Sequence, residues 1–271
     1  GEEGGNAIDK FILIGDHKQL PAVVLQSSEQ SAIYEESLLS IGLTNLKDSL
    51  FERLYRNCTA RQSSLTSHPS YDMLCRQGRM HPEVALFANR AFYGGRLIPV
   101  GLPHQLEDSD TVCRLAFYPS VQEKTGTSTK INHSEARIVA DLVARIYEDC
   151  RTDFDEARTL GIITPYRSQI ALIKKEIAAL GIPALNRIMV DTVERFQGSE
   201  RDVIIYSCCI NSYFQLKFVS NLTEEDGTLI DRKLNVALTR ARKQMFVTGV
   251  PKYLKSNPLY ESLLNLMEYK E

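Results

Sequence analysis

Short apolar runs alternate along this chain with segments of helical periodicity, and this alternation narrows the fold more than any other feature. The runs are Phe11-Ile12-Leu13-Ile14 and then 111–117, 159–163, 188–190, 203–210 and 245–248. Most are apolar on both faces, as strands covered by helices on both sides must be. The expected fold is therefore α/β, with a mainly parallel sheet flanked by helices. Between the runs lie the helices. His81-Pro82-Glu83 opens one, with Pro82 in its first turn, an apolar face of Val84, Phe87, Ala88 and Ala91, and Gly94-Gly95 as its stop. Another spans 134–149, with Ile138, Leu142, Val143 and Ile146 on one face. A third spans 168–180, with Ile170, Ile173, Ile177 and Leu180 inward and Gly181 as its stop. A fourth covers 232–242, and a last one, capped by Asn257-Pro258, turns Leu259, Leu263 and Leu266 inward. Ser49 and Glu52 form a capping box in front of Leu50, Phe51, Leu54 and Tyr55. The stretch 26–40 is polar with little periodicity, and 57–71, 122–130 and 211–227 read as loops.

The 271 residues suit one large domain, or one domain with a piece of another. No apolar run approaches the roughly 20 residues that span a bilayer, so no membrane partner is expected. The start, Gly1-Glu2-Glu3-Gly4-Gly5-Asn6, is neither a signal peptide nor a targeting helix and resembles the edge of a cut. The six cysteines show no CxxC spacing, which argues against zinc and for reduced, buried thiols in a cytoplasmic protein. Cys208 and Cys209 follow an apolar run and are expected in the core. The net charge of −2 gives no global basic field, so any contact with nucleic acid must come from a local patch.

In parallel sheets ligands sit at the carboxyl ends of the strands, so polar residues after each strand are candidates. Five clusters qualify. Gly15-Asp16-His17-Lys18-Gln19-Leu20-Pro21 offers a Gln that can sense a phosphate or orient a water, although a plain polar turn explains it as well. Arg76-Gln77-Gly78-Arg79-Met80-His81-Pro82 puts an always-charged fork at a helix start, with His81 read as a cap or packing residue. Thr164-Pro165-Tyr166-Arg167-Ser168-Gln169 suits a phosphodiester backbone, or a simple N-cap. Residues 191–202 are too densely polar for a mere connector, and Gly198 allows a close backbone approach. Residues 234–243 end a helix in basic charge, which either complements the helix dipole or provides an arginine finger in Arg240.

Taken in order, Gly-Asp-x-x-Gln-Leu-Pro, Gln-x-Arg-Met-His-Pro, Thr-Pro-Tyr, Phe-Gln-Gly-x-Glu-x-Asp and Val-Ala-Leu-Thr-Arg-Ala closely resemble motifs III to VI of superfamily 1 helicases. The likeness is to their 5′-to-3′ branch, which includes the nonsense-mediated-decay RNA helicase and the nuclease-helicase of Okazaki processing. It runs from about Phe11 to about Gly249. The resemblance implies a RecA-like P-loop NTPase fold that lacks its own P-loop. It implies ATP and Mg²⁺ shared with an N-terminal RecA-like motor domain of the same protein, and a strand of single-stranded nucleic acid across the top; the sequence does not choose between DNA and RNA, and DNA is the one favoured. It implies Gln19 near the γ-phosphate from the first domain, and Arg79 and Arg240 at that phosphate from the second. Gly198 and Glu200 would lie near phosphate and ribose, Gln77 near the nucleotide, and Thr164, Pro165 and Thr192 along the nucleic acid.

Two departures matter. Gly78 stands where the family carries a base-holding Tyr, and no Gly-x4-Gly-Lys-Ser/Thr occurs in the sequence; 124–130 has hydroxyls and a Gly without the spacing. The Asp-Glu pair that holds Mg²⁺ is expected before residue 1, so no metal ligands are expected here. Residues 1–48 are expected to be the tail of the first motor domain and 49–271 the second, with no ATP hydrolysis by this chain alone. A non-catalytic nucleic-acid or protein scaffold that kept the fold is the competing reading, and it would need no pair of arginines. No clustered acidic and lysine nuclease motif is present.

Overall fold

The computed structural model describes residues 10–60, 70–108, 112–123, 128–225 and 227–270. Residues 1–6, Thr111 and 124–127, which the sequence reading addressed, lie outside them, as does most of the loop expected at 57–71. The chain divides into two compact units, Gly1–Leu74 and Cys75–Glu271.

The first unit holds helices α1 (Glu36–Ser40) and α2 (Leu50–Ala60). α2 begins as its capping box predicts, with Ser49 Oγ accepting from Glu52 N at 3.1 Å. It extends through 57–60, where a loop was expected, because its side chains find partners in this unit. Tyr55 stacks on His17 at 4.0 Å, and Asn57 donates to the Ile41 carbonyl at 3.1 Å. The first unit thus includes α2 and extends to Leu74. Phe11-Ile12-Leu13-Ile14 is not a buried strand. No described strand pairs with it, and its side chains are 41–86% exposed.

The second unit runs β1 (Arg76–Gln77), α3 (Pro82–Tyr93), β2 (Ile98–Pro99), β3 (Leu115–Pro119), α4 (His133–Asp149), β4 (Leu160–Ile163), α5 (Arg167–Ala179), β5 (Met189–Asp191), α6 (Val193–Phe196) and β6 (Arg201–Ser207). It continues with α7 (Tyr213–Val219), β7 (Leu222–Glu225), β8 (Thr228–Asp231), α8 (Arg232–Leu238), β9 (Ala241–Gly249), α9 (Pro251–Leu254), α10 (Pro258–Leu264) and β10 (Glu268–Tyr269). Six strands form one sheet in the order β10-β3-β9-β6-β4-β5, and every pairing in it is parallel. The expected α/β architecture, a parallel sheet flanked by helices, is what forms.

Strand alternation distributes the core to both faces. Leu160, Ile162, Val203, Ile205 and Phe246 pack with Val139, Val143, Ile173 and Ile177 of α4 and α5. Their neighbours Ile163, Ile204, Tyr206, Met245 and Val247 are equally buried and face the other way, the side that α3 and α8 cover. Gly161 lies in β4 because the motif helix α6 comes too close for a side chain. A Cβ there would meet Phe196 at 2.8 Å and Arg201 Cγ at 2.9 Å. Gly161→Ala is therefore expected to cost about 1–3 kcal/mol through overpacking, read as a lower urea midpoint. An unchanged midpoint would show that α6 yields freely.

Several local expectations change. The stretch 211–227, expected to be a loop, contains α7 and β7, which pairs antiparallel with β8. The helix expected to run to 242 ends at Leu238. There Thr239 Oγ1 donates back to the carbonyls of Asn235 (2.8 Å) and Val236 (3.2 Å), and the chain enters β9 at Ala241 to pair with Arg201. The last helix buries Tyr260, Leu263 and Leu264 rather than Leu259, Leu263 and Leu266. Cys208 and Cys209 are core residues, as expected, whereas the other four cysteines are only half-buried; all six are thiols outside any disulfide. No helix among the described residues is long and apolar enough to cross a membrane.

Candidate functional site

The amino ends of β6 and β9 lie side by side, with Arg201 opposite Ala241, and three sequence clusters meet there. The turn before β6 depends on Gly198 at φ +85°, a left-handed conformation that L side chains avoid. Ser199 closes that turn through its N–H and its hydroxyl, both donating to the Phe196 carbonyl at 2.9 and 2.8 Å. Glu200 is thereby presented to Arg79, whose Nε lies 2.6 Å from Glu200 Oε2. Arg79 Nη1 also donates to the Thr239 carbonyl at 3.2 Å. Burial tends to raise the Glu200 pKa, but the hydrogen bond and charge of Arg79, with the charges of Arg242 and Arg240, outweigh it and hold the carboxyl below its ordinary value.

Arg240 has a different setting. It is 2% exposed, and its guanidinium donates to Val236 O (3.1 Å), Ser199 O (3.4 Å) and Thr239 Oγ1 (3.1 Å). Arg79, with 34% of its side chain exposed, is the more available of the two. Beside them Arg242 pairs with Asp202 at 3.0 Å, and Lys243 lies 3.5 Å from the same carboxylate.

The segment that carries Arg79 is pinned from several sides. The Gln77 amide both donates to the Met80 carbonyl and accepts from its N–H, each at 2.8 Å. Gln105 Nε2 donates to the Gln77 and Met80 carbonyls, and a His104 ring nitrogen sits 2.8 Å from the Arg79 carbonyl. His81 caps α3, its Nδ1 accepting from Glu83 N at 3.3 Å, as the cap reading anticipated. Space at Gly78 is bounded by Leu102 and Val100.

The remaining predicted residues lie elsewhere. Thr164 and Pro165 follow β4, and Thr192 follows β5, at the opposite, carboxyl edge of the sheet. The carboxyl-end expectation thus holds for these three and fails for Arg79, Gly198, Glu200 and Arg240. Thr164 is fully buried, and its hydroxyl has no hydrogen-bond partner among the described residues; its N–H donates to the Asp191 carbonyl at 3.1 Å. Pro165 and Thr192 are half-buried. Gln19 belongs to the first unit, where its Nε2 donates to Asp16 Oδ2 at 2.9 Å.

The family model AAA_12, described as an AAA domain, matches residues 46–252. The chain belongs to this family. The order of its motifs is similar to that of the C-terminal motor domain of superfamily 1 helicases, and its relatives carry helicase names in keeping with that. Among similar proteins, the probable helicase MAGATAMA 3 of Arabidopsis thaliana is 30% identical over 96% of this chain and 30% of its own length. The regulator of nonsense transcripts 1 of Dictyostelium discoideum is 34% identical over 96% of this chain and 18% of its own length. The DNA polymerase alpha-associated DNA helicase A of Saccharomyces cerevisiae is 29% identical over 90% of this chain and 34% of its own length. The chain therefore spans about a third or less of the length of these relatives.

In this AAA domain the sequence reading missed one group. Glu135, fully buried on α4, ties together the carboxyl ends of two strands. It accepts from Ser207 Oγ at 2.7 Å, from Cys209 N at 2.8 Å and from Ser120 Oγ at 3.4 Å. Burial raises its pKa to about 7, the three hydrogen bonds opposing the shift. Around it Asn132, Gln169 and Asn211 exchange side-chain and backbone hydrogen bonds that fix the loop above the sheet. The only local sign in the sequence is Asn132 three residues before Glu135, a pattern that reads as an ordinary cap.

Proposed function

We propose that this AAA domain is the nucleotide-sensing half of an ATP-dependent helicase. Its second unit closes on ATP held by a first RecA-like motor domain and lines part of a groove for single-stranded nucleic acid. DNA is the strand proposed, in keeping with the name of the yeast relative. The observation that carries the reading is the convergence of Arg79, Glu200 and Arg240. They lie up to 161 positions apart in sequence, and the backbone of Thr239 and the turn at Gly198 gather them at one sheet edge.

The residues present fit a phosphate. Glu200 keeps Arg79 oriented while leaving it partly exposed, so an entering anion competes with a single half-exposed carboxylate for a guanidinium that is always charged. Arg240 stiffens the same edge from beneath and would add positive potential to it. Gly198, Glu200 and Gln77 would border the nucleotide, and Gln19 would face the γ-phosphate from the first domain. ATP and Mg²⁺ would supply the phosphoryl group and its charge neutralisation. Among the described residues no group of three or more His, Cys, Asp or Glu is placed to hold a metal, so the ion is assigned to the first domain. Thr164, Pro165 and Thr192 are assigned to the nucleic-acid side. Residues 1–48 are assigned to the tail of the first motor domain, which the exposure of Phe11 to Ile14 supports, because such a run is suited to a sheet interior. A cytoplasmic setting is proposed on the reduced thiols.

A non-catalytic scaffold would still need Arg240, whose bonds to backbone carbonyls give it a structural use. It would have no need of a half-exposed Arg79. The test is ATP turnover by the chain alone and by the chain joined to a first motor domain with a P-loop: none in the first case, strand-stimulated turnover in the second. A joined protein that folds but never hydrolyses ATP would favour the scaffold.

A further inference from the structure

Helix α7 turns its sequence pattern inside out. Gln215, Leu216 and Val219 are buried, whereas Tyr213, Phe214, Lys217 and Phe218 form the exposed face. Phe214 is 68% and Phe218 66% exposed, with ring centroids 4.6 Å apart. Tyr213 packs edge-on against Tyr253, and Lys252 Nζ lies 5.8 Å from the Tyr213 ring. Three aromatic side chains on one short helix are costly to leave in water unless something covers them.

The place of this face in the fold says what covers it. α7 follows the carboxyl end of β6, the edge that also carries Thr164, Pro165 and Thr192. Two hydrogen bonds join it to that cluster through one loop. Gln215 Nε2 donates to the Thr129 carbonyl at 2.5 Å, and Ser168 Oγ donates to the neighbouring Lys130 carbonyl at 2.8 Å. Lys130, Arg167 and Lys217 are all exposed along this path. The acidic residues of the segment, Glu224 and Glu225, come after the helix, on β7. Protein-docking faces are depleted of lysine at their centres, whereas sequence-tolerant strand binders combine aromatic stacking platforms with flanking cations.

We propose that Phe214 and Phe218 are a stacking platform for unpaired bases of a nucleic-acid strand, with Lys217 serving the phosphates. The proposal rests on the strand-binding reading given above and extends it to a helix that no motif marks.

Fluorescence anisotropy of the 271-residue chain with labelled oligo-dT, oligo-U and an abasic strand of equal length tests it. Wild type is expected to bind the base-bearing strands at least about tenfold more tightly than the abasic one. Phe214→Ala/Phe218→Ala lowers binding to the abasic level, and Phe214→Tyr/Phe218→Tyr, which keeps the rings, retains it. Lys217→Ala weakens all strands alike and reduces the salt slope by about one ion. Equal wild-type affinity for abasic and base-bearing strands overturns the platform while leaving strand binding intact. No binding to any strand overturns the strand-binding reading and the platform with it. An alanine pair that binds strands like wild type but no longer self-associates in sedimentation assigns the face to a protein partner, and that also overturns the proposal.

Discussion

Arg79→Ala, in a protein that joins this chain to a P-loop motor domain, is expected to lower strand-stimulated ATP turnover about 10³-fold or more while leaving stability almost unchanged. The two halves of that expectation have separate causes. Arg79 is a forked cation with a third of its side chain exposed, so its loss removes charge stabilisation from the transferring phosphoryl group. Its pair with Glu200 is half in solvent, and such pairs contribute under about 1 kcal/mol. Arg240→Ala should behave differently. Its guanidinium is buried and bonded to the Val236 and Ser199 carbonyls and the Thr239 hydroxyl, so truncation leaves a void and unpaired acceptors. A cost of about 2–4 kcal/mol is expected, visible as a lower urea midpoint in the chain alone. Equal midpoints for the two variants, or wild-type turnover in Arg79→Ala, would refute this division of roles.

Glu135→Gln is expected to change the pH dependence of stability. In wild type the folded carboxyl has a pKa of about 7, against a reference value of 4.5, because burial penalises its charge more than three hydrogen bonds favour it. Below about pH 4.5 both folded and unfolded states are protonated and the group makes no difference. As pH rises from about 4.5 to about 7, the unfolded state releases its proton first, so stability falls. Above about 7 the loss is complete, at about 3 kcal/mol. Glutamine keeps the shape and an acceptor without the titration. The stability of Glu135→Gln relative to wild type should therefore rise between pH 4.5 and 8 by about that amount. Urea titrations of both proteins at several pH values would decide it, and a difference independent of pH would show that Glu135 titrates as an ordinary carboxylate. Working on the difference between variants removes the opposing contribution of Glu200 and Glu194, whose pKa values are lowered and which therefore lose stability toward acid.

The parallel sheet was legible because β4 and β6 bury side chains on both faces, a pattern that an antiparallel sheet open to water on one side would not show. Helices α3, α4 and α5 were legible from their caps and periodicity. What sequence could not weigh was competition between ladder and helix at 239–242, where the chain leaves α8 to pair with Arg201. Nor could it see α7, whose seven residues are too few for helical periodicity to stand out and whose exposed positions are aromatic. The site was half legible. Nine candidate residues were named from motifs; seven of them were expected at one edge of the sheet and occupy two, while Gln19 lies in the first unit. The reason is geometric. A connector between parallel strands must start at the carboxyl edge and finish at the amino edge. Asp191-Thr192 therefore lies at one end of the sheet and Gly198 and Glu200 at the other, within a single dense motif. Glu135 stayed hidden because a Glu in the first turn of a helix ordinarily complements the dipole in water.

The central claim, that this AAA domain senses nucleotide without being able to hydrolyse it alone, is tested most directly by phosphate release from ATP and Mg²⁺ at saturating single strand. Background release is expected from the 271-residue chain, and strand-stimulated release once it is joined to a motor domain carrying the P-loop lysine and the Asp-Glu pair. Sustained turnover by the chain alone, above that of a denatured control, would contradict it.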